Sequence, residues 1–339
     1  MVKQKTIICC DWGTSTFRLK IVTVVNSTII ATISSEEGIA VIHREWLDSQ
    51  LELKTSQSDF FLAHLNKRVE ELLGTLASKP TIDAIVISGM ASSSIGLIEL
   101  PYAETPFSLD GKQAIYKLIE PSKFIHFPVL LISGLRNNDD VMRGEETQLI
   151  GTASFLNKLG KNRLTCILPG THSKHVKISG GSITGFQTFI TGELFQLLSQ
   201  KSVLSNSVSL PEKTEPVTDV EKSAFIKGIH ASENLTLLHT LFSVRTNQLF
   251  NRLNKTENAF YLSGILIGSE LRTLRNNNAE CIVLVCGHSL FSLYQLALKA
   301  LQLDSISFFL SPEISEESTM EGQLQLFKYL FQKNRHENN

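Results

Sequence analysis

The sequence predicts an α/β protein built from two related halves. Three observations carry that prediction. A chain of 339 residues is long enough for about two domains. Short apolar runs of strand character alternate with longer stretches of helical periodicity along its whole length. A short phrase also occurs twice, as DWGTSTFRLKI at 11–21 and PGTHSKHVKI at 169–178. Displaced by 157 positions, Gly13 falls on Gly170, Thr14 on Thr171, Thr16 on Ser173, Leu19 on Val176, Lys20 on Lys177 and Ile21 on Ile178. The phrase occurs only twice, so the pattern is a duplication and not a solenoid.

The elements follow in order. KTIICC at 5–10 stops at the turn Asp11–Thr14, and FRLKIVTVV at 17–25 resumes with partial alternation, which predicts a β-hairpin. Residues 59–77 carry Phe61, Leu65, Val69, Leu72, Leu73 and Leu76 at helical spacing, with Asp59 as the candidate N-cap. DAIVI at 83–87 reads as a buried strand, SGMASSSIG at 88–96 as a small polar turn, and PVLLI at 128–132 as another strand. A helix is predicted from Gly144-Glu145 to Lys158.

The pattern then restarts, with TCIL at 165–168, the turn PGTH and the returning strand HVKI. Residues 201–222 are polar, Ser-rich and contain two prolines, which predicts a surface loop. Helices are expected at 223–249 and 258–275, a buried strand at 281–287, a helix at 289–301, a strand at 305–311 and a last helix at 319–332. The tail KNRHENN is too polar to pack and reads as frayed.

Composition narrows the function. Net charge is −1, so no bulk attraction to nucleic acid or an anionic membrane is implied. The apolar run CIVLV at 281–285 is far short of a membrane span, and the charged N-terminus lacks a signal-peptide pattern. The expectation is a cytoplasmic protein whose five cysteines are buried, reduced thiols.

The repeated turns suggest chemistry. A tight turn of glycine and hydroxyl residues exposes backbone N–H groups and lets an anion approach closely. Gly13, Thr14, Ser15 and Thr16, with Arg18 or Lys20 nearby, form one such turn; Gly170, Thr171, His172 and Ser173, with Lys174, form the other. Asp11 stands where a carboxylate could hold a hydrated Mg²⁺. No G-x-x-x-x-G-K-[ST] run is present, which argues against a P-loop. VCGHSL at 285–290 is a third strand–glycine–helix junction, suited to a nucleotide. In RNNDDVMRGEETQLIG at 136–151, Asp139, Asp140, Glu145 and Glu146 are all candidates for a general base, and equally for a solvated helix start.

Taken in order, DWGTSTFR, SGM…G…PY at 88–102, VMRGEETQLIG at 141–151, LPGTHSKHVKI at 168–178, TGELF at 191–195 and LSGILIGSE at 262–270 resemble the 2-dehydro-3-deoxygalactonokinases over nearly the whole chain. The resemblance implies two duplicated actin-like ATPase (ribonuclease H-like) domains with an ATP cleft between them. They would span 1–150 and 151–339, with the last helix able to pack back on the first. It also implies ATP-dependent phosphorylation of the 6-hydroxyl of 2-dehydro-3-deoxy-D-galactonate, with Mg²⁺ held on Asp11 through water.

By position, the first phosphate hairpin would comprise Gly13, Thr14, Ser15 and Arg18, and the second Gly170, Thr171 and His172. The adenosine site would draw on Gly264, Gly268, Gly287 and His288. Gly89, Ser93, Tyr102 and Arg143 would meet the sugar acid, and Glu145 would be the base, with Glu146 second. One departure stands out: Leu97 follows Gly96 where the family leads one to expect an aromatic residue. The alternatives are a kinase of the same fold with another 2-keto-3-deoxy sugar acid or sugar as acceptor, and a non-catalytic ATP-binding sensor. Oligomeric state stays open, a homodimer being one option.

Overall fold

The computed structural model describes residues 5–210, 217–234, 236–276 and 280–331. The predicted frayed tail at 333–339 and part of the predicted loop, 211–216, lie outside the described residues. The chain forms two compact units, one of Met1–Gly160, Gly181–Gly185 and Ser315–Asn339, the other of Lys161–Gly180 and Phe186–Ile314.

In chain order the first unit contains β1 (Thr6–Trp12), β2 (Phe17–Thr23), β3 (Ile29–Ser35), α1 (Ile39–Leu53), α2 (Gln57–Gly74) and β4 (Ala84–Gly89). It continues with β5 (Ala103–Glu104), β6 (Phe107–Ser108), β7 (Tyr116–Ile119), β8 (Val129–Ile132), β9 (Leu135–Arg136), β10 (Val141–Met142) and α3 (Glu145–Lys158). The second unit brings β11 (Arg163–Leu168), β12 (Ser173–Ser179), the end of β13 (Ser182–Phe189), α4 (Thr191–Lys201), α5 (Asp219–Asn234) and α6 (Leu237–Leu249). It ends with α7 (Lys255–Asn276), β14 (Ile282–Leu284), α8 (His288–Ala300) and β15 (Ser307–Phe309). The last helix, α9 (Pro312–Leu326), rejoins the first unit from Ser315. The leading segment of the first unit ends at Gly160, just after α3.

Each unit is organised on one sheet. The first has the order β3-β2-β1-β4-β8-β7, and the second runs β15-β14-β11-β12-β13. In both, an antiparallel hairpin leads into parallel strands: β1 pairs antiparallel with β2 and parallel with β4, as β11 does with β12 and β14. This is the ribonuclease H-like arrangement of actin-like ATPase domains, written twice. The first ladder closes on Trp12 and Phe17 and leaves residues 13–16 in its turn; the second closes on Leu168 and Lys174 and leaves 169–173. Pro169 is thus an extra residue. The returning strands keep the displacement read from the sequence, while the outgoing strands align Cys10 with Cys166.

Packing follows the periodicities. Ile8, Cys10 and Trp12 on alternate positions of β1 share a core with Phe61, Leu65, Val69 and Leu72 of α2. Each such fully buried side chain stabilises the fold by roughly 1.5–3 kcal/mol. The N-cap of α2 is Ser56, whose Oγ accepts the Asp59 N–H at 3.2 Å, so Asp59 sits inside the helix. All five cysteines are buried free thiols.

Several elements were not predicted: β3, α1, β13 and α4, and the short strands β5, β6, β7, β9 and β10. The single helix expected at 223–249 is two, α5 and α6. The last helix starts at Pro312, ahead of the predicted 319. No helix among the described residues is long and apolar enough to cross a membrane.

Candidate active site

The first turn is held from beneath and open above. The Gly13 N–H donates to Thr16 O at 2.9 Å, closing the turn. The start of α1 backs it, with Ile39 N–H donating to Gly13 O at 2.9 Å and Ala40 N–H to Thr14 O at 3.1 Å. A Cβ on Gly38 would lie 2.3 Å from Thr14 O, so only glycine fits there. Thr14, Ser15 and Thr16 are exposed and free to meet a ligand. At the edge of the turn Asp11 pairs with Arg18 Nη1 at 3.1 Å. Burial raises the Asp11 carboxyl above its ordinary range; Arg18 opposes the rise and Glu145 adds to it.

The start of α3 carries the acidic pair. Gly144 has φ +107° and a Cβ there would lie 3.3 Å from Gly89 Cα, while Gly89 has φ +96° and a Cβ there would lie 2.7 Å from Trp12 O. These two glycines bring the acidic helix start, the end of β4 and the end of β1 together. The half-buried Glu145 accepts the Arg143 N–H at 3.0 Å. Glu146, 3% exposed, accepts the Gly144 N–H at 2.8 Å and the Thr147 hydroxyl at 3.0 Å. Burial, with the neighbouring Glu145 charge, pushes the Glu146 carboxyl up to about 7. The buried Gln323 of α9 donates to Cys10 O at 2.7 Å and to Ser88 Oγ at 2.8 Å, pinning the same two strand ends.

Arg143 is built into its own unit. It donates to Tyr102 OH at 3.0 Å, Ser92 Oγ at 2.8 Å and Leu100 O at 3.2 Å, and stacks 3.9 Å over the Tyr102 ring. Arg143, Tyr102 and the 89–102 segment are therefore brought together. Within that segment Ser93 is buried and its hydroxyl donates to Met90 O at 2.7 Å, while its neighbour Ser92 takes the arginine. Leu97 is 2% exposed within the core that includes Trp12 and Phe61, so the departure at this position changes core packing.

The second turn repeats the design. Glu193 N–H at the start of α4 donates to Thr171 O at 3.0 Å, and a Cβ on Gly192 would lie 2.5 Å from Gly170 O. Thr171 and His172 are exposed, and His172 Nε2 meets Glu193 Oε2 at 2.5 Å. Beside this turn, wholly within the second unit, lies a cavity of about 520 Å³. Gly170, Thr191 and Gly192 form its turn end; Phe195, Phe260, Leu266 and Ile267 make it largely apolar; Ser289, Leu290, Leu293 and Tyr294 of α8 complete it.

Of the adenosine residues expected from sequence, Gly264 and Gly268 lie on α7, and Gly287 and His288 stand at the start of α8. Gly264 and Gly268 face α5: a Cβ on Gly264 would lie 2.1 Å from Phe225 O, and one on Gly268 would lie 2.5 Å from Ser232 Oγ. They permit close helix packing, and their neighbours Ser263, Leu266 and Ile267 face the cavity instead. Gly287 caps α8 with an ordinary extended backbone, and the exposed His288 pairs with Glu313 at 3.4 Å. The residues of α8 that line the cavity begin at Ser289. The supporting roles of Gly38, Gly192 and Gln323 were not read from the sequence, although Gly192 lies in the TGELF motif.

Among the described residues no group of three or more His, Cys, Asp or Glu gathers to hold a metal ion. A hydrated Mg²⁺ resting on Asp11 needs no such group.

Comparison with known proteins gives the family. Residues 11–311 match the family model for 2-keto-3-deoxy-galactonokinase. A probable 2-dehydro-3-deoxygalactonokinase of Rhizobium meliloti (strain 1021) is 32% identical over 298 residues, covering 86% of this chain and 88% of that one. The 2-dehydro-3-deoxygalactonokinase of Escherichia coli (strain K12) is 34% identical over 225 residues, covering 65% and 72%. The crystal structure of a Sinorhizobium meliloti protein assigned as a 2-dehydro-3-deoxygalactonokinase superposes with a TM-score of 0.75 at 27% identity, over 96% of this chain and 97% of that one. The chain belongs to the 2-keto-3-deoxy-galactonokinase family.

Proposed function

We propose that this protein is an ATP-dependent kinase that phosphorylates the 6-hydroxyl of 2-dehydro-3-deoxy-D-galactonate. The observation that carries the reading is the family match over residues 11–311. The geometry is compatible with it. The exposed turns at 13–16 and 170–172 offer backbone N–H and hydroxyl groups to phosphate oxygens. The apolar cavity beside Gly170 suits a base and ribose, with serines and Thr191 at its margins. Asp11 would hold Mg²⁺ through water, and the ion, when bound, supplies charge neutralisation at the phosphates.

Glu145 is assigned as the group that accepts the proton of the attacking hydroxyl. It is the more accessible of the acidic pair, whereas Glu146 is buried and committed to Gly144 and Thr147. Arg143, held by Tyr102, Ser92 and Leu100, fixes the loop that would meet the sugar acid. Most of the rate enhancement would come from positioning and charge stabilisation. A cytoplasmic location and a small-molecule acceptor complete the proposal.

The test is ADP release from Mg·ATP by the purified protein, with and without 2-dehydro-3-deoxy-D-galactonate. Stimulation by the acid with a 6-phosphate product is expected. Intact ATP binding with no stimulation would move the acceptor to another sugar acid or sugar. A Glu145→Ala variant should bind ATP and lose about 10²–10⁴-fold in turnover; normal turnover would remove Glu145 from the role of base.

A further inference from the structure

Behind the second turn lies a buried polar node that the proposed mechanism does not use. Its centre is Glu270 on α7, 2% exposed. One carboxylate oxygen accepts Ser173 Oγ at 2.7 Å and His175 Nε2 at 3.0 Å. The other accepts the Thr191 hydroxyl and Tyr294 OH, the latter at 2.9 Å. Four donors from three elements, β12, α4 and α8, thus converge on one side chain.

Each donor stands at the proposed nucleotide site. Ser173 closes the second turn and His175 follows it on β12. Thr191 opens α4, whose Gly192 and Glu193 back that turn. Thr191 and Tyr294 both line the cavity. A buried carboxylate surrounded by donors orders them all, and its removal leaves each hydroxyl to find another partner where water is excluded.

We propose that Glu270 is a positioning residue for the nucleotide: it touches no ligand, and it locks the second phosphate turn and the α8 wall of the cavity into one binding-competent arrangement. The inference rests on the kinase reading for the identity of the ligand, and its test separates the two.

The test measures ADP binding by calorimetry and steady-state kinetics for the wild type, Glu270→Met and Glu270→Gln. Methionine has similar reach and accepts no such bonds; glutamine keeps one acceptor oxygen. Expected is a rise of about tenfold to a hundredfold in the ADP Kd and the ATP KM of Glu270→Met. Glu270→Gln should fall between Glu270→Met and the wild type. The sugar-acid KM should stay within about twofold throughout, a split that a general loss of stability would not produce. If Glu270→Met does not fold, Glu270→Gln is judged by the same split. An ADP Kd within about twofold of wild type in a folded Glu270→Met variant, or equal changes in both KM values, would overturn the proposal while leaving the kinase reading intact. A wild-type protein that binds no ADP would overturn both.

Discussion

At the residue scale the adjacent acids of α3 have different environments, and pH separates them. The Glu146 carboxyl moves from an ordinary 4.5 to about 7 on folding. An acid whose folded value is raised binds its proton more tightly in the native state, so stability falls as pH rises between those values. Below about 4.5 the effect vanishes; above about 7 the buried charge costs roughly 3 kcal/mol. Glu146→Gln should therefore match the wild type in urea unfolding near pH 4.5 and exceed its stability by up to about 3 kcal/mol at pH 8. A difference that does not vary with pH would contradict this assignment. The acidic pair itself was legible from RGEE, because residue type and helix start are both visible in sequence. Their division into a half-buried and a fully buried member was not, because burial depends on what packs against the helix. The same holds for Leu97: a motif position reads as a contact until its side chain is seen in the core with Trp12.

At the scale of elements, the two hairpins were readable because each glycine–threonine turn is bounded by apolar runs. Strand β3, IIATISS, was missed although its β-branched residues, with Ile29, Ala31 and Ile33 at alternate positions, carry a strand signal. The boundary between α5 and α6 carries neither glycine nor proline and so read as one helix. Helices α5 and α7 show what a motif glycine does for packing. Gly228 and Gly264 face each other's helix, with Cβ positions 2.1 Å from Tyr261 O and Phe225 O respectively. No rotamer relieves a clash with backbone, so the helices must separate to accept a methyl group. Gly264→Ala should lower unfolding free energy by about 1–3 kcal/mol in urea titration. Wild-type stability in that variant would mean that the crossing is looser than described.

At the scale of the molecule, duplication was visible from two turns alone, yet the halves are not separable by one cut. The first unit takes back residues 181–185 and the chain beyond Ser315. Gln323 lies in that returning stretch and supplies hydrogen bonds to Cys10 O and Ser88 Oγ. Glycines also seat α9 on α3, with a Cβ on Gly151 only 1.8 Å from Ser318 O and one on Gly322 only 1.9 Å from Thr147 O. A chain stopped at residue 314 should therefore lose cooperative unfolding of its first unit, seen as loss of slow hydrogen exchange in β1 and β4. Retention of that protection would show that the returning helix is dispensable. The family resemblance implied that the last helix can pack back on the first domain; the hydrogen bonds of Gln323 were not legible, because no motif surrounds it.

Pro169 sets the two turns apart in length. The first turn runs from Gly13 to Thr16, whereas the second needs one residue more before its ladder resumes at Lys174. In a strand, a slip of one position turns every side chain to the opposite face. Without Pro169 the second turn would match the first in length, and a one-position shift of β12 to follow it would turn His175 away from Glu270.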